Sequence, residues 1–344
     1  VSTRSAAGAA SREAKDGARK YILGVDLGGT NIVVGAMSAD GTEQYAMHST
    51  PTRAELGADG VVARIVEMLE KSIAETQAKT GAARSDFLGV GIGSPGPLDR
   101  EKGLVIVTPN LGWRDFPLRD RVGDGVKLPA TLDNDANCAT LGEWWIGAAK
   151  GAQHVVGITI GTGIGGGLIL NGRLYHGAND VAGEVGHATI DSTGRRCGCG
   201  NYGCLEAYAS GPAIAERARE ALAGGEPSKM PQMVGGDLSR ITAATVYAAA
   251  KEDDELANHV VRETARFLGT GIANLLNIFN PEVVVLAGGV TQAGDQLFEP
   301  LRAEVRRRAF KPAVDICRIV PGALHGNAGV VGAIATFAQH HGIA

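Results

Sequence analysis

The sequence predicts an α/β protein, and three observations carry that prediction. Short apolar runs of strand length alternate with segments whose apolar residues recur at helical spacing. An apolar strand, a glycine turn and a second strand appear near the start and return from Val155. The composition, 344 residues with 44% hydrophobic and a net charge of -4, is that of a globular chain of about two domains. No apolar run approaches the roughly 20 residues of a bilayer span, so no membrane partner is expected. The mild acidity argues against nucleic acid, whose phosphates need a basic face. The first twenty residues, "VSTRSAAGAASREAKDGARK", lack the apolar segment of a secretory signal and read as a disordered tail. A cytoplasmic location follows, and with it reduced cysteines.

In chain order, "YILGVD" from Tyr21 and "NIVVGAM" from Asn31 read as strands joined through Gly28 and Gly29, a β-hairpin. Asp59–Thr80 carries a helical stripe of Val61, Val62, Ile65, Met68, Leu69 and Ile73. "FLGVGIG" from Phe87 and "LVIV" from Leu104 are strands separated by the turn "SPGPLD", and "ATLDND" from Ala130 leads into a helix through about Trp145. "VVGITIGTGIGGGLIL" from Val155 then aligns with "ILGVDLGGTNIVVGAM" from Ile22, Gly157 on Gly24 and Gly161 on Gly28, which indicates two related halves. Helices follow near Pro212–Ala223, Thr242–Glu252 and Glu255–Ile278. Then come a strand from Val283, a helix near Gln296–Arg307, a strand from Ile316 and a helix from Asn327 to about His340. Leu222–Asp237 is rich in Gly and Pro and reads as a mobile surface loop.

Three of the five cysteines crowd into one stretch. His187, Cys197, Cys199 and Cys204 give H-x9-C-x-C-x4-C, a ligand set for a closed, structural zinc site; reduced thiols beside a chance histidine are the plain alternative. Cys138 and Cys317 read as small buried hydrophobes. Two glycine turns facing one cleft suit a polyphosphate chain, with Thr30 and Thr162 adding hydroxyls. "GTGIGGG" fits G-x-G-x-x-G only formally, because a strand and not a helix follows it. Asp26, at a strand end, could hold a hydrated Mg2+ or bond its own turn. Asn134 and Asp135 stand at a strand-to-helix junction. Either could be an N-cap; Asp135 could equally take a proton from an attacking hydroxyl, and Asn134 could serve a neighbouring one. Glu184 and Glu206, flanking the cysteine stretch, could accept bonds from vicinal hydroxyls or be ordinary surface charges.

Taken together, "DLGGTN", "GIGSPGPLD", "DNDAN", "GTGIGGGLILNGRLYHGAN", "AGEVGH" and "CGCGNYGCLEAYAS" resemble the ROK family of sugar kinases, its bacterial glucokinases in particular, from about Ile22 to the last helix. The resemblance implies an actin-like ATPase-domain (ribonuclease H-like) fold, two α/β domains around a cleft that closes on sugar. Residues 21–133 plus about 326–344 would form the small domain and 134–325 the large one with the zinc motif. It implies ATP-dependent phosphorylation of glucose at the 6-hydroxyl with Asp135 as catalytic base. Gly96, Asn110, Asn134, Asp135, Glu184, His187 and Glu206 match sugar positions. Asp26 matches the magnesium position, and Gly28, Gly29, Thr30, Asn31, Thr162 and Gly163 surround the phosphates. Gly288 and Gly289 match the adenosine loop. His187 would bind zinc through one ring nitrogen and sugar through the other. Asn31 replaces a lysine of some members, and Asp180 stands where many have glycine, implying altered loop flexibility. A homodimer is also implied. Other hexoses, N-acetylmannosamine, and polyphosphate as donor are alternatives within the family. So is a sugar-sensing repressor, but that needs a DNA-binding helix pair where only twenty residues precede the first strand.

Overall fold

The computed structural model describes residues 19–108 and 110–343. Most of the expected disordered tail lies outside the described residues, but its last two are tied down. Arg19 pairs with Glu43 at 2.9 Å and Lys20 with Asp86 at 2.8 Å.

The first half runs β1 (Tyr21–Leu27), β2 (Asn31–Ser38), β3 (Gln44–Pro51), α1 (Gly57–Thr80) and β4 (Phe87–Ser94). A small antiparallel sheet follows, of β5 (Leu98–Asp99), β6 (Leu104–Thr108) and β7 (Trp113–Phe116). Then come α2 (Leu118–Val126), β8 (Ala130–Asn134) and α3 (Asp135–Trp145). The second half begins with β9 (Val155–Ile160), β10 (Ile164–Leu170) and β11 (Arg173–Leu174). Five helices come next: α4 (Glu206–Ala209), α5 (Gly211–Ala223), α6 (Met230–Met233), α7 (Ala243–Lys251) and α8 (Glu255–Phe279). It ends with β12 (Val283–Ala287), α9 (Asp295–Arg308), α10 (Lys311–Ile316), β13 (Arg318–Pro321) and α11 (Ala328–His340).

The first sheet has strand order β3-β2-β1-β4-β8 and the second β11-β10-β9-β12-β13. In each, the hairpin strands pair antiparallel and the last three run parallel. The repeat visible in two hairpins thus extends to two whole sheets of one topology, the doubled ribonuclease H-like arrangement of the actin-like ATPase-domain fold. Alternate side chains along each strand serve opposite faces. Leu23 and Val25 of β1 meet Val61, Ile65 and Leu69 of α1, whereas Ile22 meets Val330 and Ile334 of α11. In the second sheet Val156, Ile158 and Val284 pack under α5, α7, α8 and α9, and Val155, Ile169 and Val283 face Leu141 of α3. Helices α3 and α11 therefore lie back to back between the two sheets. They approach so closely that a β-carbon on Gly332 would stand 1.5 Å from the carbonyl oxygen of Cys138. A side chain there would push the halves apart.

Several local expectations need correction. The edge strand β3 escapes the periodicity because only Tyr45 of its residues is fully buried, and a bulge with Ala46 at φ +46° breaks its register. The last strand starts at Arg318, since Lys311–Ile316 closes a helical turn first. Cys138 is buried as expected, but Cys317 is only half-buried. Residues 222–237 are not all loop: α6 anchors them through the fully buried Met230.

Candidate active site

Three parallel strands bring their carboxyl ends together. Asp26 of β1 lies level with Gly93 of β4, and Ser94 of β4 is level with Asn134 of β8. This is where open α/β sheets bind ligands. The helix α3 starts here, and its first turn settles which residue caps it. Asn134 Oδ1 accepts from the backbone N–H groups of Ala136 at 2.9 Å and Asn137 at 3.2 Å. Asn134 is the N-cap, its oxygen is committed, and only its amide NH2 is left for a ligand. Asp135, the first helical residue, is not the cap, although its Oδ1 also accepts from Ala136 N–H at 2.8 Å. Burial pushes its carboxyl up from the ordinary range, the Ala136 bond opposes this, and the charge of Glu184 adds to it. Burial, with the Asp135 charge second, pushes Asp26 up to about 7. Its carboxylate abuts the start of α11, where a β-carbon on Gly329 would lie 2.2 Å from it. Two desolvated carboxylates, one raised by the charge of the other, form a place where a divalent cation would be welcome.

The sugar-side candidates extend from Asp135. Glu184 comes within 4.0 Å of His187 Nε2, while His187 Nδ1 faces Cys197 Sγ at 3.7 Å. The two ring nitrogens thus point to different partners, one toward the cysteine cluster and one toward Glu184. Cys199 and Cys204 sulfurs are 3.7 Å apart, and the ligand atoms of His187 and the three cysteines all lie within 4.8 Å of one another. Tetrahedral ligands about 2.3 Å from zinc are separated by roughly 3.7 Å, so the spacing fits that ion. Burial, followed by the neighbouring sulfurs, pushes Cys204 up to about 12, a strain that a bound cation relieves. Glu206 joins this cluster to the second glycine turn: its Oε1 is 3.8 Å from Cys197 Sγ and its Oε2 accepts from Ile164 N–H at 2.8 Å. Gly96 has φ +91°, and a β-carbon there would lie 2.3 Å from the carbonyl oxygen of Val107. Only glycine fits.

The two glycine turns are built alike. Gly28 N–H donates within its turn to Asn31 C=O at 2.8 Å, and Gly161 N–H to Gly163 C=O at 2.9 Å. The Gly28 N–H is therefore not free for a phosphate, whereas Gly29, Thr30, Asn31 and Thr162 are exposed. Asn110 lies beside the first turn, 3.5 Å from where a β-carbon of Gly29 would be. Next to the second turn, Gly288 and Gly289 follow β12. A cavity of about 710 Å³ opens there, lined by Thr162, Ala215, Ile241, Tyr247, Gly289 and Val290 among others. Its walls are mostly apolar, unlike those of a phosphate cradle.

The model of the ROK family matches residues 22–340. The chain belongs to the ROK family. Among ROK proteins, a glucokinase of Halalkalibacterium halodurans is 38% identical over 91% of this chain and 93% of its own. The crystal structure of a ROK family glucokinase from Streptomyces griseus in complex with glucose and AMPPNP matches with a TM-score of 0.78 at 34% identity. The match covers 92% of this chain and 98% of that one. A xylose repressor of Caldicellulosiruptor bescii is 34% identical over 91% of this chain and 77% of its own length.

This ROK chain also holds functional candidates that the sequence did not single out. Tyr247 and Lys251, four apart on α7, line the apolar cavity with Arg219 of α5. Their helical spacing was a usable signal, but only once the facing elements were known. The buried Asp133, one residue before the cap, had no local signal at all. Its carboxylate accepts from Asn134 N–H at 2.8 Å and Asn137 Nδ2 at 3.2 Å, and faces His176 Nε2 at 2.8 Å.

Proposed function

We propose that the protein transfers the γ-phosphoryl group of ATP to the 6-hydroxyl of glucose, in the cleft between its two sheets. The observation that carries this reading is Asp135. It is a desolvated carboxylate other than the helix cap, whose charge acts on Asp26 and which feels the charge of Glu184. In the step, the sugar 6-oxygen attacks the γ-phosphorus, its proton passes to the Asp135 carboxylate, and the bond to the β-phosphate oxygen breaks to release ADP. The Asn134 amide, Glu184, Glu206, the Nε2 of His187 and the turns at Gly96 and Asn110 would hold the ring hydroxyls. Gly29, Thr30, Asn31, Thr162 and Gly163 would face the phosphates, with Gly28 shaping its turn, and Gly288 and Gly289 would border the adenosine. Asp26 would hold Mg2+, which supplies charge neutralisation at the phosphates. His187, Cys197, Cys199 and Cys204 would hold a structural zinc ion that fixes the sugar loop.

The apolar cavity beyond Thr162 favours a nucleoside donor over polyphosphate, which has no use for such walls. A sensor of sugar without turnover would have no need of a desolvated base beside a cation site, which favours an enzyme over a repressor. We read residues 21–133 with about 326–344 as the small domain and 134–325 as the large one, hinged where α3 and α11 cross. The chain would act in the cytoplasm, where its thiols stay reduced; among the described residues no helix is long and apolar enough to cross a membrane. A homodimer is supported by exposed Ile278, Phe310 and Ile316, since Phe310 N–H bonds Asn277 and so lies beside Ile278. The test is sugar phosphate formation across a panel of hexoses and N-acetylmannosamine, with ATP and then polyphosphate. Glucose with ATP should give the highest kcat/KM; turnover with polyphosphate alone, or with N-acetylmannosamine alone, would overturn the assignment.

A further inference from the structure

Four charged or titratable side chains from three distant stretches meet beside the proposed sugar site. Arg100 lies in the turn between β5 and β6, and Asp133 is in β8. His176 and Asp180 lie in the loop between β11 and Glu184. Arg100 NH1 is 3.3 Å from Asp180 Oδ1, and its backbone N–H reaches Asp180 Oδ2 at 3.4 Å. Its Nε faces Asp133 Oδ2 at 3.1 Å as an ion pair, yet off the line of a hydrogen bond. His176 Nε2 occupies the same oxygen at 2.8 Å. Asp133 is fully buried, whereas Arg100 and Asp180 keep 28% and 25% of their side-chain surface.

One detail points away from a passive brace. A buried N–H without an aligned acceptor carries a desolvation penalty that a finished contact would not keep. The separation is already that of a hydrogen bond, so a reorientation of the guanidinium would complete it. Asp180, in turn, sits at φ +63°, a left-handed conformation that Asp and Asn tolerate best among residues with a side chain. Its carboxylate is held there only by Arg100, among the described contacts. The contact joins the hairpin that follows Gly96 to the loop that leads into Glu184, across the two halves of the chain.

We propose that Arg100 and Asp180 form a latch between the halves that positions the Gly96 hairpin and the Glu184 loop around the sugar, with Asp133 as its buried anchor. The inference rests on the sugar-binding part of the function proposed above. The latch contributes to holding sugar and not to the phosphoryl step, so its loss shows in sugar affinity and leaves saturated turnover alone. Arg100→Met keeps the packing of the stem, and Asp133 retains His176, Asn134 N–H and Asn137 as donors, so the fold survives. Asp180→Gly removes the carboxylate and keeps a residue that accepts the left-handed backbone.

The test compares wild type, Arg100→Met, Asp180→Gly and the double variant by glucose calorimetry, steady-state kinetics and melting. Each single variant should weaken glucose binding about three- to tenfold, the range of a partly exposed charge-assisted contact. The double variant should be no weaker than either single one, because both remove the same contact. The KM for ATP and the saturated kcat should stay at the wild-type level, and Asp180→Gly should melt close to wild type, since a partly exposed ion pair adds little to stability. Unchanged glucose affinity, additive losses, or a joint rise of both KM values with a lower Tm would each overturn the latch. Calorimetry separates the two proposals. A wild type that binds glucose without turning over would sink the kinase reading while still testing the latch, and one that binds no sugar would sink both.

Discussion

At the scale of single residues, the division of labour between Asn134 and Asp135 decides the chemistry. An Asn cap and an Asp cap stabilise a helix about equally, so a capping Asp135 would tolerate Asn. Because Asn134 already occupies that role, Asp135→Asn should melt no lower than wild type and keep glucose affinity. Turnover should fall by about 10²–10⁴-fold, the usual worth of a positioned base. Stopped-flow ADP release and calorimetry on the one variant check both halves. The base must be ionised to work and its carboxyl is pushed up by burial, so kcat/KM for glucose should decline on acidification with an apparent pKa above the ordinary aspartate value of 3.8. For Asp26 the folded value of about 7 exceeds the unfolded 3.8. A raised carboxyl contributes stability that is complete below about pH 4 and is lost as the pH rises through about 7. Metal-free Asp26→Asn should therefore melt above wild type at about pH 8, with the gap shrinking toward about pH 4, while its activity is lost at every pH. Melting curves at several pH values, with and without Mg2+, check the sign.

At the scale of elements, the legible parts were local and the illegible ones were assembled. The two hairpins with their glycine turns, the strand into Asp135 and the cysteine cluster each lie in one stretch of chain, and all stand where their residues implied. The glycine at position 96 was legible as a turn, but only the backbone of β6 explains why nothing larger fits. Gly96→Ala should lower Tm by several degrees and weaken glucose binding, because the added carbon meets the Val107 carbonyl and not a movable side chain. Differential scanning calorimetry reads the first effect directly. The zinc loop is a second element whose parts act together. Cys199→Ser should release the metal, measured by a colorimetric chelator, and loosen His187 and Glu206, so that the glucose KM rises with the loss of stability. A metal-free variant with wild-type glucose KM would separate the loop from the sugar. What could not be read locally is the set Arg100, Asp133, His176 and Asp180. Asp180 looked like a matter of loop flexibility until its partner, eighty positions earlier, came beside it. Likewise β3 hid because an edge strand with one fully buried side chain leaves almost no periodic trace.

At the scale of the whole molecule, two copies of one sheet topology carry different tasks. The first ends in carboxylates, Asp26 and Asp135 among them, and the second in a glycine turn beside an apolar cavity. Between them α3 and α11 pack closely, with Gly332 against Cys138 and Gly142 against Ala328. Closure on sugar would exclude water from a phosphoryl group that could otherwise be hydrolysed. Solution scattering should show a smaller radius of gyration with glucose than without it; superimposable profiles would remove closure from the account. The central claim is that these halves bring a sugar hydroxyl and a nucleotide phosphate to Asp135. It is tested most directly by following the zinc-loaded protein with glucose, ATP and Mg2+ by phosphorus NMR. One glucose 6-phosphate should form for each ADP, with negligible ADP in the absence of sugar. ADP with inorganic phosphate in place of the sugar ester, or phosphate on another hydroxyl, would contradict it.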